Sequence, residues 1–114
     1  MKIATWNINS IRLRIQLVID FIKENEIDVL CLQETKTEDQ YFPVAAFAEA
    51  GWPHQVFRGE KSYNGVAIIS RQALGDRQHN DWAGKSDCRH IAAVTSDGVR
   101  IDNFYVPAGG DIAD

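Results

Sequence analysis

The chain has 114 residues, 45% of them hydrophobic, so it is long enough to bury the core of one domain. Its formal net charge of -4 argues against a protein that coats nucleic acid non-specifically, although a local basic stripe or a metal site would still hold phosphates. Cys31 and Cys88 match no metal-binding or redox spacing, and charged residues interrupt the N-terminal half. We therefore expect a cytoplasmic protein with neither a secretory leader nor a membrane span.

The first elements form a strand, a helix and a second strand. Residues 2–6 predict a short strand, and Asn9 or Ser10 is placed to cap the helix that follows. Apolar residues at helical spacing form one face of this helix: Ile11, Ile15, Val18, Ile19 and Ile22. Residues 27–32 are almost entirely apolar, as expected for a strand covered on both faces.

The remainder predicts one short helix and four strands. The helix follows Pro43 and ends at Gly51 in a left-handed conformation. Ser96-Asp97-Gly98 predicts a hairpin turn, and residues 71–88 lack periodicity and predict a long loop. Strands are expected at residues 54–57, 65–70, 91–95 and 99–106. The pattern predicts an α/β fold with one mixed β-sheet, helices on one face, and no further element to cover the other face.

Polar side chains follow the first two predicted strands. Asn7 follows the first strand and Glu34 the second, and the intervening helix makes the two strands parallel. The two side chains are therefore expected at the carboxyl edge of the sheet, where α/β folds build their sites. A lone Glu at a strand end is usually a solvated loop residue, but the pairing favours a site.

Four segments resemble the exonuclease III and apurinic/apyrimidinic endonuclease family of DNA repair enzymes, within the endonuclease, exonuclease and phosphatase fold. Each is weak alone, but their order and spacing are specific and span essentially the whole chain. They are Trp6-Asn7-Ile8-Asn9-Ser10-Ile11-Arg12, Leu32-Gln33-Glu34-Thr35-Lys36, Ser62-Tyr63-Asn64-Gly65-Val66-Ala67 and Tyr105-Val106-Pro107-Ala108-Gly109. The resemblance implies half of a four-layered α/β sandwich of two packed sheets, with residues 1–114 as a single N-terminal part.

The resemblance also implies two segments that this sequence lacks. One is a later Asp-x-Asn segment with an acid/base carboxylate, and the other is a C-terminal Ser-Asp-His segment with a histidine at the phosphate. Residues 111–113 do not match the first, and His54, His79 and His90 do not match the second. The expected partner is therefore the missing C-terminal half of the same fold. We expect the present chain alone to be inactive and to expose apolar surface.

The resemblance assigns roles to single residues. Glu34 is implied to be the ligand of Mg²⁺, with Mn²⁺ as a possible substitute, because hard cations take carboxylate oxygens. Asn7 is implied to help hold the metal, the phosphate or a partner carboxylate, and Tyr105 to donate its hydroxyl to a phosphate oxygen. Simple core packing would also explain Tyr105. Residues implied to contact DNA are Asn9, Arg12, Lys36, Tyr63, Asn64 and Arg89. A helix cap, solvated charges and a turn would explain these as well.

The implied reaction is Mg²⁺-dependent hydrolysis of phosphodiester bonds in duplex DNA, at abasic sites or 3′ ends. Three alternatives stay open. They are a sister-branch phosphoesterase such as a phosphoinositide phosphatase or sphingomyelinase, a non-catalytic DNA-binding or interaction module, and an α/β domain without a site. Residues 32–36 together with Tyr105 favour the DNA repair branch over its sister branches.

Overall fold

The computed structural model describes residues 1–81 and 88–106. The elements are β1 (Ile3–Asn7), α1 (Ile11–Glu24), β2 (Val29–Gln33), α2 (Val44–Ala50), β3 (His54–Glu60), β4 (Tyr63–Ser70), β5 (Leu74–Gln78), β6 (His90–Thr95) and β7 (Arg100–Phe104), with a 3₁₀ turn at Asp39–Tyr41. Among these residues, no helix has the length and apolar character that crossing a membrane requires. Residues 107–109 of the fourth matching segment and residues 111–113 lie outside the described ranges, as do residues 82–87 of the predicted loop.

The first sheet has the strand order β1-β2-β4-β3. β1 and β2 are parallel, which confirms the prediction from the strand–helix–strand pattern, and β4 is antiparallel to its two neighbours. α1 and α2 cover one face of this sheet. The core on that side includes Ile8, Ile11, Val18, Ile22, Leu30, Leu32, Phe47, Trp52, Ala67 and Ile69.

A second sheet, with the order β5-β6-β7, covers the other face. Its inward side chains Ile91, Ala93 and Ile101 pack against the first sheet, on Val29, Cys31, Val66 and Ile68. The expectation of a mixed sheet with helices on one face is confirmed by the first sheet, whereas the expectation that this chain has no element to cover the other face is wrong. β5 lies within the segment predicted to be a loop. The sequence did not predict this strand because only its Leu74 contributes to the core. The strand forms through backbone pairing with β6.

The edge strand β1 is only partly covered on the side of the second sheet. Ile3 pairs with Val29 and Thr5 pairs with Cys31, so these side chains face the side on which the second sheet lies. Val29 is fully buried by that sheet, whereas Ile3 is 48% exposed and Thr5 is also exposed. The expected bare apolar face is therefore reduced to a strip along one strand.

The start of α1 differs from the expectation of a side-chain cap. The Ser10 side chain makes no capping hydrogen bond, and the Asn9 side chain instead accepts a hydrogen bond from Lys36. The amides of Ser10 and Ile11 donate to the carbonyls of Glu34 and Thr35, which satisfies two donors of the first turn. Other local predictions are confirmed, since α2 ends at a left-handed Gly51 and a turn at residues 96–98 joins β6 to β7.

The outer face of the second sheet carries a polar cluster. His90 is buried, its Nε2 lies 2.9 Å from Asp102 Oδ1, and its Nδ1 accepts from the Asn80 amide. Arg100 also donates to both oxygens of Asp102. These hydrogen bonds, chiefly that from Arg100 and then that of His90, lower the pKa of Asp102 from 3.8 to about 2.

Replacing Asp102 by Asn is expected to lower the free energy of unfolding at neutral pH, by roughly 1 kcal/mol because the carboxylate is one-third exposed. Since folding lowers the Asp102 pKa to about 2, the wild-type advantage exists above about pH 4 and disappears as pH falls towards 2. Urea titrations of both proteins across this range measure the difference. A difference that stays constant with pH would contradict the assignment.

Replacing Ile91 by Ala is expected to destabilise the fold by about 2–5 kcal/mol, because Ile91 is fully buried between the two sheets. Leu17→Ala is the matched control, since Leu17 is 56% exposed and should change stability by only about 0.5 kcal/mol. The free energy of unfolding in urea measures each effect. Equal effects of the two substitutions would contradict the packing of the second sheet.

Candidate active site at the carboxyl edge of the first sheet

Asn7 and Glu34 meet at the carboxyl edge of the parallel strands β1 and β2. Asn7 Nδ2 donates to Glu34 Oε2 at 2.7 Å, and Lys36 Nζ lies 3.4 Å from Glu34 Oε1. The predicted meeting of Asn7 and Glu34 at one edge is therefore confirmed, because parallel pairing aligns the ends of the two strands. The amide fixes one oxygen of the carboxylate and leaves the other facing the ammonium.

The segment that carries Glu34 is tied to the start of α1. Glu34 has a φ of 54°, a left-handed conformation that turns the chain sharply as it leaves β2. The Glu34 carbonyl accepts from the Ser10 amide at 2.8 Å, and the Thr35 carbonyl accepts from the Ile11 amide at 3.1 Å. The helix thus holds the backbone of this segment from one side.

The same segment is tied to β4 on its other side. The Thr35 amide donates to the Gly65 carbonyl at 3.2 Å, and the Lys36 amide donates to the Asn64 carbonyl at 2.9 Å. A Cβ at Gly65 would lie 2.0 Å from Thr35 Oγ1, so only glycine permits this close approach. Backbone bonds on both sides therefore fix where the Glu34 and Lys36 side chains begin.

Tyr105 reaches the site from the second sheet, just after β7. Its backbone amide donates to the Arg89 carbonyl at 2.8 Å. Burial raises the pKa of the Tyr105 hydroxyl, and the adjacent Glu34 carboxylate raises it further. The hydroxyl therefore remains protonated at neutral pH, and it donates a hydrogen bond to the Glu34 carboxylate. Asn7, Glu34 and Tyr105 lie together as predicted, but they come from two sheets rather than from one.

The carboxyl group of Glu34 is ionised at neutral pH. The hydrogen bond from Asn7 is the largest cause that lowers its pKa, and Lys36 lowers it further. Burial acts in the opposite direction but is outweighed. An ionised carboxylate with one oxygen directed towards a cationic group is suited to holding a cation.

A buried polar bridge beneath the site was missed by sequence reasoning. Asn103 is 2% exposed, and its Nδ2 donates to the carbonyls of Leu32 and Ala67 in the first sheet. Gln33 Nε2 donates to Asn103 Oδ1 at 2.7 Å and to Thr5 Oγ1 at 2.9 Å. A signal was present, because alternation along β7 places Asn103 on the same inward face as Ile101. The bridge joins the sheets two residues before Tyr105.

The residues predicted to contact DNA fall into different environments. Arg12 and Tyr63 are exposed, and the Arg12 guanidinium lies 5.4 Å from the centre of the Tyr41 ring. Asn64 is only 5% exposed, and Arg89 lies close enough to Tyr105 to lower its pKa. The Asn64 side chain thus lies almost entirely inside the protein, whereas Arg12 and Tyr63 lie on its surface.

A basic cleft opens beside Lys36. It has a volume of about 270 Å³, and its lining carries three positive charges and one carboxylate. The lining residues are Arg12, Lys36, Thr37, Glu38, Tyr41, Lys61 and Ser62. Tyr41, Lys61 and Ser62 were not singled out from the sequence as neighbours of Lys36. They join the cleft because the segment after β2 lies alongside the turn between β3 and β4.

Two packed sheets with a carboxylate, an amide and a tyrosine at one edge agree with a family assignment. Residues 4–111 match the Endonuclease/Exonuclease/phosphatase family, and the chain belongs to that family. Within it, the chain is similar to the exodeoxyribonuclease of Bacillus subtilis, with 33% identity over 117 residues, which cover 94% of this chain and 43% of that enzyme. It is also 35% identical over 72 residues to exodeoxyribonuclease III of Haemophilus influenzae, covering 63% of this chain and 27% of that enzyme.

Solved structures give the same family. An AP endonuclease from Archaeoglobus fulgidus has a TM-score of 0.86 and 46% identity, with 94% of this chain and 42% of that chain covered. A 3′ phosphatase from Neisseria, bound to a product DNA hairpin, has a TM-score of 0.86 and 44% identity, with 92% and 41% covered. The resemblance to exonuclease III and AP endonucleases is confirmed. The chain spans about two fifths of these two solved chains and of the Bacillus enzyme.

Replacing Gly65 by Ala is expected to destabilise the protein and to displace the Glu34–Lys36 segment. The new Cβ meets Thr35 Oγ1 at 2.0 Å, in addition to the left-handed strain at a φ of 101°. Gly98→Ala is the matched control, because Gly98 has a φ of 87° but no heavy atom within 4 Å of the added Cβ. The control should lose only about 1–2 kcal/mol of unfolding free energy.

Urea unfolding and the amide NMR shifts of residues 34–36 measure these effects. Gly65→Ala should cost more stability than Gly98→Ala and should shift the three amide signals. An equal loss of stability with unchanged amide shifts would contradict the tight approach of β4 to the site.

Proposed function

We propose that this chain carries the metal- and phosphate-binding part of a DNA repair nuclease. The reaction is hydrolysis of phosphodiester bonds in duplex DNA, at abasic sites and at 3′ ends. The observation that carries this proposal is the convergence of Asn7, Glu34 and Tyr105, with the Asn7 amide bonded to the Glu34 carboxylate. The family relationship to an exodeoxyribonuclease and to an AP endonuclease supports it.

The cofactor of this proposal is Mg²⁺, for which Mn²⁺ can substitute. The donor chemistry fits, because Glu34 is ionised and the Asn7 and Asn9 side chains bring amide oxygens to the same edge. Mg²⁺ typically binds through one or two carboxylates and keeps several waters, so it needs no dense ligand cluster. Within residues 1–81 and 88–106, no three His, Cys, Asp or Glu side chains lie close enough together to hold a metal ion as a group. Glu34 therefore holds the metal in this half, with Asn7 orienting its carboxylate.

The metal, when bound, neutralises the negative charge that develops on the phosphate and its leaving 3′ oxygen. Tyr105 donates its hydroxyl to a phosphate oxygen, which is possible at neutral pH because burial and Glu34 raise its pKa. Asn7 keeps Glu34 oriented through a neutral amide, which adds no second negative charge near the phosphate. The base that activates water is expected from the remaining half of the fold.

The basic cleft is proposed to hold the DNA backbone. Arg12, Lys36 and Lys61 line it, and positive side chains of this kind bind phosphates without reading sequence. Tyr63 is 58% exposed beside the cleft residue Ser62, so its ring is accessible to a bound duplex. Cleavage of a duplex with one abasic site, compared with release of phosphate from a phosphoinositide, separates DNA repair from the sister branches.

The remaining half of the fold is proposed to cover the exposed strip on β1. Ile3 is 48% exposed on the side where the second sheet lies, and a strand added beside β7 would extend that sheet over β1. Residues 1–114 alone are therefore proposed to bind DNA and metal weakly and not to cleave. A second candidate is a non-catalytic DNA-binding module, which the basic cleft beside Lys36 supports and which would appear as DNA binding without cleavage. A reducing cytoplasm is proposed as the compartment, since Cys31 and Cys88 are buried free thiols.

Replacing Glu34 by Gln, in this chain joined to the remaining half of the fold, is expected to reduce cleavage of abasic DNA steeply, because the substitution removes the negative charge that holds the metal. Raising Mg²⁺ should restore part of the activity, since metal occupancy is what is weakened. Initial rates measured over a Mg²⁺ series give both effects. Turnover close to wild type with an intact fold would contradict the metal assignment.

Replacing Tyr105 by Phe removes only a hydroxyl and is expected to lower turnover by roughly 10²–10³, as for a lost oxyanion donor. Extra Mg²⁺ should not restore this activity, because the lost group acts on the phosphate. The same rate series measures it beside Glu34→Gln. If Mg²⁺ rescued the two variants equally, Tyr105 would support the metal instead of donating to the phosphate.

A further inference from the structure

The Lys36 side chain bridges two oxygen atoms of the candidate site. Its Nζ donates to Asn9 Oδ1 at 2.6 Å and lies 3.4 Å from Glu34 Oε1. The other carboxylate oxygen, Glu34 Oε2, is held by Asn7. The ammonium therefore contacts the carboxylate oxygen that Asn7 does not hold, and the Tyr105 hydroxyl also hydrogen-bonds to this carboxylate.

The backbone at Lys36 is fixed, whereas its side chain has room to move. Lys36 has a φ of 52°, and its amide is bonded to the Asn64 carbonyl. The side chain is 33% exposed and also lines the basic cleft of about 270 Å³. Glu38 lines the same cleft and offers a carboxylate to the ammonium if it leaves Glu34. A rotation of the flexible lysine stem would therefore free Glu34 Oε1 without moving the chain.

We propose that the Lys36 ammonium and the divalent cation compete for Glu34 Oε1 and Asn9 Oδ1, so that Lys36 weakens metal binding at this site. The inference rests on the proposed function, because it takes Glu34 as the metal ligand. A lysine ammonium is a compact point charge with three donors, which allows it to satisfy the same oxygen atoms as a hard cation. Cation binding requires this ammonium to give up both contacts, and any part of its charge that remains nearby repels the metal.

The size of the effect follows from the exposure of the site. A unit charge about 4 Å from a divalent cation in water changes the binding equilibrium by up to roughly thirtyfold, and Lys36 is exposed enough for salt and water to reduce this. Lys36→Met keeps the stem of the side chain and removes its charge and its donors. This substitution is expected to tighten Mn²⁺ binding by about fivefold to thirtyfold, the lower value applying as salt screens the charge.

The test measures Mn²⁺ binding, without DNA, to this chain joined to the remaining half of the fold. The electron paramagnetic resonance signal of free Mn²⁺ reports the binding. Lys61→Met is the matched control, because it removes the same charge from the same cleft without a bridge to Glu34 and Asn9. Glu34→Gln is measured in parallel to verify that the titrated site includes Glu34. As a readout independent of affinity, the ¹³Cε NMR signal of Lys36 should shift when Mg²⁺ is added, while that of Lys61 should not.

Tighter Mn²⁺ binding in Lys36→Met than in Lys61→Met would support the competition. Equal affinities of the two variants, or weaker binding in Lys36→Met, would overturn it, since Lys36 would then act only as distant charge or would preorganise the oxygens. These outcomes leave the proposed function intact as long as Glu34→Gln weakens Mn²⁺ binding relative to the wild type. If Glu34→Gln bound Mn²⁺ as tightly as the wild type, the metal assignment would fail and the competition would fail with it.

Discussion

The coverage of β2 on both faces is the constraint on which the rest of the structure depends. Val29 and Leu30 are both fully buried, one against the second sheet and the other against the helices. A strand packed in this way cannot shift by one residue without moving every side chain to the opposite face. The position at which β2 ends is therefore well defined, and the first residue after its end is Glu34.

The hydrogen bonds of Asn103 between the two sheets position β7, and with it Tyr105, relative to the end of β2. Asn103 donates to the Leu32 and Ala67 carbonyls and accepts from Gln33, so β7 is held by specific hydrogen bonds at the end of β2 and beside β4. Hydrophobic contacts between two sheets tolerate sliding, whereas a buried amide with three partners does not, because an unmade bond would cost about 1–3 kcal/mol. Tyr105 follows two residues later, so its hydroxyl is brought to Glu34 by the same bridge.

The location of the site could be predicted from the sequence, whereas the second sheet could not, and each outcome has its own physical reason. The positions of Asn7 and Glu34 follow from local order, since a strand–helix–strand unit must place the two strand ends together. β5 carries Gly75, Asp76 and Gln78, so it pairs through its backbone and has almost no hydrophobic pattern to detect. The link from Lys36 to Asn9 joins residues 27 positions apart and depends on left-handed turns that no periodicity encodes.

Left-handed backbone concentrates where these elements meet. Of the non-glycine residues with positive φ in the described ranges, six lie in the segments after β1, after β2 and before or within the start of β4: Asn9, Ser10, Glu34, Lys36, Ser62 and Asn64. Each such residue costs of order 1–3 kcal/mol unless its surroundings enforce it, and here backbone bonds between the three segments do so. The strain has a chemical use, because it directs the Glu34 and Lys36 side chains towards Asn7 and Asn9. A carboxylate held rigidly beside a movable ammonium can exchange one cation for another while the backbone stays in place.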